Sequence, residues 1–238
     1  MNIAATGFSH RGTIRQKNED AILMHSKVFQ SGTHQLEVDG IVRFFVADGV
    51  GGAPAGEVAS KFVLDKLNEN FDQDAFPDHD TMIKNFRGIN ASMFEFCNLN
   101  PQYSGMASTL SGVFISGQQY RMFNAGDSCT FIFRDQKLEK LTNSGQVELY
   151  PESSLLTNYF GGFQDSLSPK ALAVSSELKS DDIFVISTDG LFHCFPVEQL
   201  EKILSNNKPL HEKARMILEK SLDMGAPDNI SCIFIKIS

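Results

Sequence analysis

The chain has no tryptophan, 4 tyrosines and 4 cysteines, and its 21 Lys and Arg are outnumbered by 29 Asp and Glu, for a formal charge of -8. Each shortage removes a class of protein. With no Lys/Arg cluster, nucleic acid and anionic membrane are disfavoured as partners, because both require concentrated positive charge. Cys97, Cys129, Cys194 and Cys232 lie far apart, with no CxxC pair and no His at zinc-ligand spacing, so they read as buried reduced thiols. No apolar run is long enough to cross a bilayer, and the opening MNIAATGFSHRG lacks the basic-then-apolar pattern of a secretion signal. The expectation is a cytoplasmic protein. There is no Pro/Gly/Ser-rich linker or composition break, which predicts one domain over residues 1–238.

What is present is an apolar interior: 42% hydrophobic residues, including 20 Phe, in a chain of 238 residues, long enough to bury a substantial core. Short β-prone runs predict strands at 2–8, 20–28, 34–39 and 41–47, with Asp39-Gly40 as a two-residue hairpin turn between the last two. Helical spacing of Ala55, Ala59, Phe62, Val63, Leu67 and Phe71 predicts a helix over 53–71. Ile83, Phe86, Ile89, Met93 and Phe94 predict a second over 80–98. A run of strands follows over 107–141, with turns at 116–118, 126–127 and 135–136. Residues 142–170 have no clear period and read as an irregular surface excursion. A strand at 183–187, a helix over 196–204, a helix carrying Ala214, Ile217, Leu218 and Leu222 on one face, and a closing strand over 229–237 complete the chain. Strands, then helices, then strands and helices again do not make a βαβ alternation, so an α+β layered sandwich is expected over a parallel doubly wound sheet.

Three segments place an aspartate at the mouth of an apolar strand: Asp48 in FFVADGVGG, Asp189 in FVISTDGL and Asp228 in APDNISCIFI. A single such aspartate is usually a turn or helix-cap residue. Three together are harder to dismiss, since a carboxylate there is unfavourable unless hydrogen-bonded or bound to a cation. Oxygen ligands with no His or Cys beside them in sequence select Mg²⁺ or Mn²⁺ over zinc or copper, and a phosphate ester is the natural substrate of such a site. Gly49 permits a sharp turn that would bring its carbonyl to the same cation, and Gly51 and Gly52 extend that tight passage. Nucleotide-binding loops fail: GGAPAGEV has Glu57-Val58 where a phosphate loop needs Lys and Ser/Thr, and GVGGAP breaks the dinucleotide fingerprint at Pro54.

With these residues in hand, the sequence resembles the metal-dependent protein phosphatase family, the type 2C serine/threonine phosphatases, in its compact bacterial form. The resemblance is carried by GFSHRGTIRQKNEDA (7–21), VADGVGGAPAGEVAS (46–60), MASTLSGVFI (106–115), NAGDSCTFIFR (124–134), STDGLF (187–192) and PDNISCIFI (227–235), nearly the whole chain. It implies a four-layer α-β-β-α sandwich with two central antiparallel β-sheets flanked by helices, and a metal cleft at one end. It implies that Asp48 bridges two Mn²⁺ or Mg²⁺ ions, that Gly49 offers its carbonyl to one, and that Asp189 and Asp228 complete the other. Glu19 and Asp20 would hold waters around the ions. Asp127 matches a position that helps Asp189 bind a third, weaker ion; its alternative role is capping the turn it sits in. Arg15 matches the phosphate-clamping arginine, with Arg11 its lower-ranked competitor.

The activity so implied is hydrolysis of phosphoserine and phosphothreonine in proteins by an activated water, with no phosphoenzyme, on substrates of a cognate serine/threonine kinase in bacterial signalling. The alternatives are an inactive phosphoprotein-binding member and a phosphatase of small phosphate esters. The sequence departs from the family at Val50, where many eukaryotic members have a candidate general-acid His, and at Ala107, where Gly is usual. It departs again at 142–170, where the flap beside the active site looks shortened, although LTNYFGG resembles its end. His193, near Asp189 in sequence, is read as a structural or surface histidine.

Overall fold

The computed structural model describes residues 1–50, 55–142, 158–163 and 178–238. In chain order the elements are β1 (Ile3–His10), β2 (Asp20–Met24), β3 (Lys27–Phe29), β4 (Gly32–Val38), β5 (Val42–Asp48), α1 (Gly56–Asn70) and α2 (His79–Leu99). Then come β6 (Ala107–Ser108), β7 (Leu110–Ser116), β8 (Gln119–Ala125), β9 (Cys129–Arg134), β10 (Lys137–Lys140) and β11 (Phe160–Gly161). The chain ends with β12 (Ile183–Ser187), α3 (Asp189–Cys194), α4 (Val197–Leu204), α5 (Leu210–Asp223) and β13 (Ile230–Ile237).

Two antiparallel sheets form the centre, one ordered β10-β9-β12-β13-β1-β4 and the other β3-β2-β5-β7-β8. Strand alternation distributes the core. On β5, Val42, Phe44 and Val46 point between the sheets, while Phe45 and Ala47 point outward onto α1 and α2. On β13, Ile233, Ile235 and Ile237 point between the sheets, and Ile230, Cys232 and Phe234 pack beneath α3, α4 and α5. Both faces of the central strands are thus covered, which explains their continuous apolar runs. The layers are helix, sheet, sheet, helix, as the α+β sandwich expectation had it. Among the described residues no helix is long and apolar enough to cross a membrane.

Several local features explain the element boundaries. Asp78 caps α2 by accepting from the Thr81 N–H at 2.7 Å. Arg43, buried on the helix side of β5, donates to Phe71 O at 2.7 Å and to His25 O at 3.1 Å, tying the end of α1 to the β2–β3 turn. His25 has φ 57 and breaks the expected 20–28 strand into a hairpin, with Met24 opposite Lys27.

The expected hairpin at Asp39-Gly40 is incorrect. Gly40 does take φ +82, but β4 pairs with β1 and β5 pairs with β2 and β7, so this turn passes the chain from one sheet to the other. A glycine at positive φ marks a change of direction and not the destination. The strand sequences point to the outcome: GTHQLEV alternates as an edge strand does, whereas VRFFVAD is nearly all buried as a central strand is. Within the expected excursion at 142–170, residues 143–157 and 164–170 lie outside the described residues. The described remnant includes Phe160-Gly161, which pairs with Ala107-Ser108. All four cysteines are free, but only Cys129 and Cys232 are buried, so the expectation of buried thiols fails for the half-buried Cys97 and Cys194.

Candidate metal centre

The site is assembled where strands of both sheets end together. Strand β5 finishes at Asp48 and β2 starts at Asp20, and the antiparallel register sets these two carboxylates directly opposite each other, a pairing that like charges disfavour. Asp48 is held by its backbone. Its N–H donates to Thr109 Oγ1 at 3.0 Å, and its carbonyl accepts from Thr109 N at 2.9 Å and Ser108 Oγ at 3.0 Å. Next in the chain, the Gly49 N–H donates to Glu19 O and the Val50 N–H to Ala107 O. Position 49 requires glycine, because a Cβ there would lie 2.3 Å from Gly56 O at the start of α1.

The second sheet supplies Asp189 and Asp228. Neighbouring strands β12 and β13 bring together the residue that opens α3 and the residue two before β13. The approach is close: a Cβ on Gly190 would sit 1.9 Å from Asn229 O. Asn229 also fastens the loop before β2. Its Nδ2 donates to Arg11 O and Lys17 O, and its Oδ1 accepts from Glu19 N at 2.8 Å. That loop carries Arg15, whose Nη2 donates to Asp228 Oδ2 at 2.8 Å.

The electrostatics are those of acids forced together. Asp20 is fully buried, and Thr188 Oγ1 donates to its Oδ2 at 2.9 Å while its Oδ1 has no hydrogen-bond partner. Burial pushes the Asp20 carboxyl up to about 7, opposed by the nearby hydroxyls of Ser231 and Thr188, with the charges of Asp189 and Asp228 adding to the push. Asp48 is driven well above the usual carboxylate range by burial, then by Asp20, Asp189, Asp127 and Asp228. Burial raises Asp189 too; His193 opposes the shift and Asp228 adds to it. Asp127 rises to about 6 through burial and the charge of Asp189.

These residues fit a divalent cation pair. A buried, unpartnered carboxylate oxygen among like charges is a costly arrangement in a folded chain unless a proton or a cation neutralises it, and the donors are mostly hard oxygens.

The structure brings Asp48, Asp189, Asp228 and Asp20 to one place. Asp127 stands on the β8–β9 turn, where the charges of Asp189 and His193 both act on it. Glu19 borders the centre against α1: a Cβ on Gly56 would lie 2.9 Å from its Oε1. Burial and Glu57 raise its carboxyl. Among the described residues Arg11 donates to Gln16 O, at 3.3 Å and exposed, whereas Arg15 is the arginine on the carboxylate cluster. Gly51 and Gly52 lie outside the described residues.

Sequence reasoning missed Thr109, Thr188 and Asn229, which fix the acids; His193 is exposed, as the surface reading has it, and also stands beside Asp189. Its Nε2 lies 3.5 Å from Asp189 Oδ2, and ligand atoms of Asp189, His193 and Asp228 fall within 4.8 Å of one another. The signal was the four-residue spacing, which counts only once Asp189 is known to open a helix. A groove of about 540 Å³ between the β2–β3 turn and β4, lined by His25, Phe29 and Leu36, shares no residue with this site.

The family model described as protein phosphatase 2C matches residues 11–228. The chain belongs to the protein phosphatase 2C family. The serine/threonine phosphatase stp of Listeria monocytogenes is 25% identical over 243 residues, covering 95% of this chain and 92% of the relative. The serine/threonine phosphatase structure from S. agalactiae superposes with a TM-score of 0.82 at 21% identity, covering 99% of this chain and 100% of the other. The catalytic domain of the serine threonine protein phosphatase PstP, solved in complex with 2 manganese ions, superposes with a TM-score of 0.78 at 24% identity and covers 99% of each chain. As a protein phosphatase 2C chain, this one gathers its central acids from the ends of β5, β2, β12 and the approach to β13.

Proposed function

We propose that the chain is a metal-dependent serine/threonine protein phosphatase, in which Asp48, Gly49, Asp189 and Asp228 hold two Mn²⁺ or Mg²⁺ ions. The observation that carries this is the convergence of Asp20, Asp48, Asp189 and Asp228, with one fully buried carboxylate oxygen left without a partner. Family membership, serine/threonine phosphatase relatives and a manganese-bound structural neighbour support it. Cations held by these residues would supply an activated water and would offset negative charge developing on a phosphoryl group.

The chain's own groups do the rest. Thr109 and Ser108 hold the Asp48 backbone, so the carboxylate is presented from a rigid strand end. Asp20, behind Asp48 and oriented by Thr188, adds negative charge that favours cations over water in the cleft. Arg15 stands at the rim on Asp228, and its planar fork has further N–H groups for two oxygens of a phosphoryl group. Asp127, on whose carboxyl the charge of Asp189 acts, would join Asp189 at a third, weaker ion. Substrates would be phosphoproteins of a cognate serine/threonine kinase.

The test is a metal-titrated assay comparing a phosphothreonine peptide, a phosphotyrosine peptide and a nucleotide, with Asp48→Asn as the blank. Preference for the phosphothreonine peptide, dependent on Mn²⁺ or Mg²⁺, is expected. Hydrolysis that survives chelation, or that favours the nucleotide, would count against the assignment.

A further inference from the structure

The cage formed by Asp48, Asp189 and Asp228 offers carboxylate oxygens, and His193 adds a donor of another kind. In α3, Asp189 and His193 stand one turn apart on the same helix face. Each of Asp189, His193 and Asp228 offers a ligand atom within 4.8 Å of the others. Ligands about 2.0–2.4 Å from one cation lie roughly 3–4 Å apart, a gap that an exposed imidazole can close by rotating its side chain. The two carboxylates are less free: Gly190 is packed against Asn229 O, and the Asn229 N–H donates to Asp228 Oδ1 at 2.8 Å. A second observation bears on the same two aspartates. Asp20 Oδ1 is fully buried and unpartnered, in a carboxylate on which the charges of both Asp189 and Asp228 act.

We propose that His193 donates an imidazole nitrogen to a divalent cation held by Asp189 and Asp228, making this edge of the centre a mixed oxygen–nitrogen site. The inference rests on the cation reading of the aspartate cluster. Its chemical consequence is selectivity. Carboxylates alone suit Mg²⁺ and Mn²⁺, whereas an imidazole favours transition metals such as Co²⁺ and Zn²⁺ over Mg²⁺. The competing account of the 3.5 Å contact is an ordinary ion pair between residues four apart on a helix.

Pulsed electron paramagnetic resonance on the Mn²⁺-loaded full chain separates the two. The expected result is ¹⁴N coupling in the wild type, replaced by ¹⁵N coupling when histidine is isotopically labelled and absent in His193→Gln. By titration, His193→Gln should weaken Co²⁺ binding on the order of 10–100-fold while changing Mg²⁺ binding less than about threefold. Mn²⁺ bound without nitrogen coupling in the wild type overturns the His193 ligand and leaves the carboxylate centre standing. No Mn²⁺ binding at all overturns the centre and the ligand together. His193 is half-exposed, and equal melting temperatures of the metal-free proteins would show that the substitution leaves the fold intact.

Discussion

Strand β12 has an aspartate just beyond each of its ends, and the two are treated in opposite ways. Asp182, immediately before the strand and 2% exposed, receives Arg134 Nε at 2.7 Å and Nη2 at 2.5 Å, with the Lys179 N–H at 2.8 Å on one of the same oxygens. Asp189, two residues past the other end, faces Asp228 and Asp48, with His193 Nε2 3.5 Å from its Oδ2 and no Lys or Arg ion pair among the described residues. A buried acid with a bidentate arginine is complete within the fold. A cluster of acids with an orphaned oxygen is one that a bound cation would relieve, as the proposed function requires. The contrast separates a structural charge from a functional one without reference to the family.

Breaking the functional end should give the largest effect. Asp48→Asn is expected to lower phosphopeptide turnover on the order of 10⁴-fold. It should also leave the metal-free protein at least as stable as wild type, because it removes a repelled charge; turnover and thermal melting measured together check both. At the structural end, Asp182→Ala should cost about 3 kcal/mol of stability in urea unfolding by removing the buried carboxylate that accepts from Arg134 and the Lys179 N–H, with turnover per folded molecule unchanged. If the two substitutions gave similar profiles, the contrast would fail.

Arg15 belongs to the functional end although it makes an ion pair. Arg15→Ala should reduce kcat/KM by roughly 10²-fold, with both substrate binding and chemistry affected. Its stability effect should stay under about 1 kcal/mol, since the pair is partly exposed. Wild-type kinetics would reject the clamp.

The smallest effect is a slope with pH. Asp20 rises to about 7 in the fold, against about 3.9 for an unfolded aspartate. Between those values the native state holds more protons than the unfolded chain, so stability of the metal-free protein should fall as pH rises, on the order of 1 kcal/mol per pH unit at most for each such group. Below about pH 4 both states are protonated and this penalty disappears. Saturating Mn²⁺ should reverse the slope, because cations bind the ionised carboxylates. Urea titrations from pH 4 to pH 7.5 with and without Mn²⁺ test the sign.

Much of this was legible in the sequence. The turns between β7, β8, β9 and β10 carried their own signals, and the aspartates announced themselves by ending apolar runs. Other features needed the third dimension. The Asp39-Gly40 turn signalled a reversal, but which sheet β5 joins depends on burial of both its faces. Six-residue α3 is too short to show a helical period, so the shared face of Asp189 and His193 was hidden. Asp20 opposite Asp48 is a matter of strand register, which no local pattern encodes.

Anomalous diffraction from a Mn²⁺-soaked crystal is the most direct measurement. Two peaks about 4 Å apart, within ligand distance of Asp48, Asp189 and Asp228, are the expected result. Manganese absent from that cleft, or bound only elsewhere at saturating concentration, would contradict the claim that these three aspartates are gathered to hold cations.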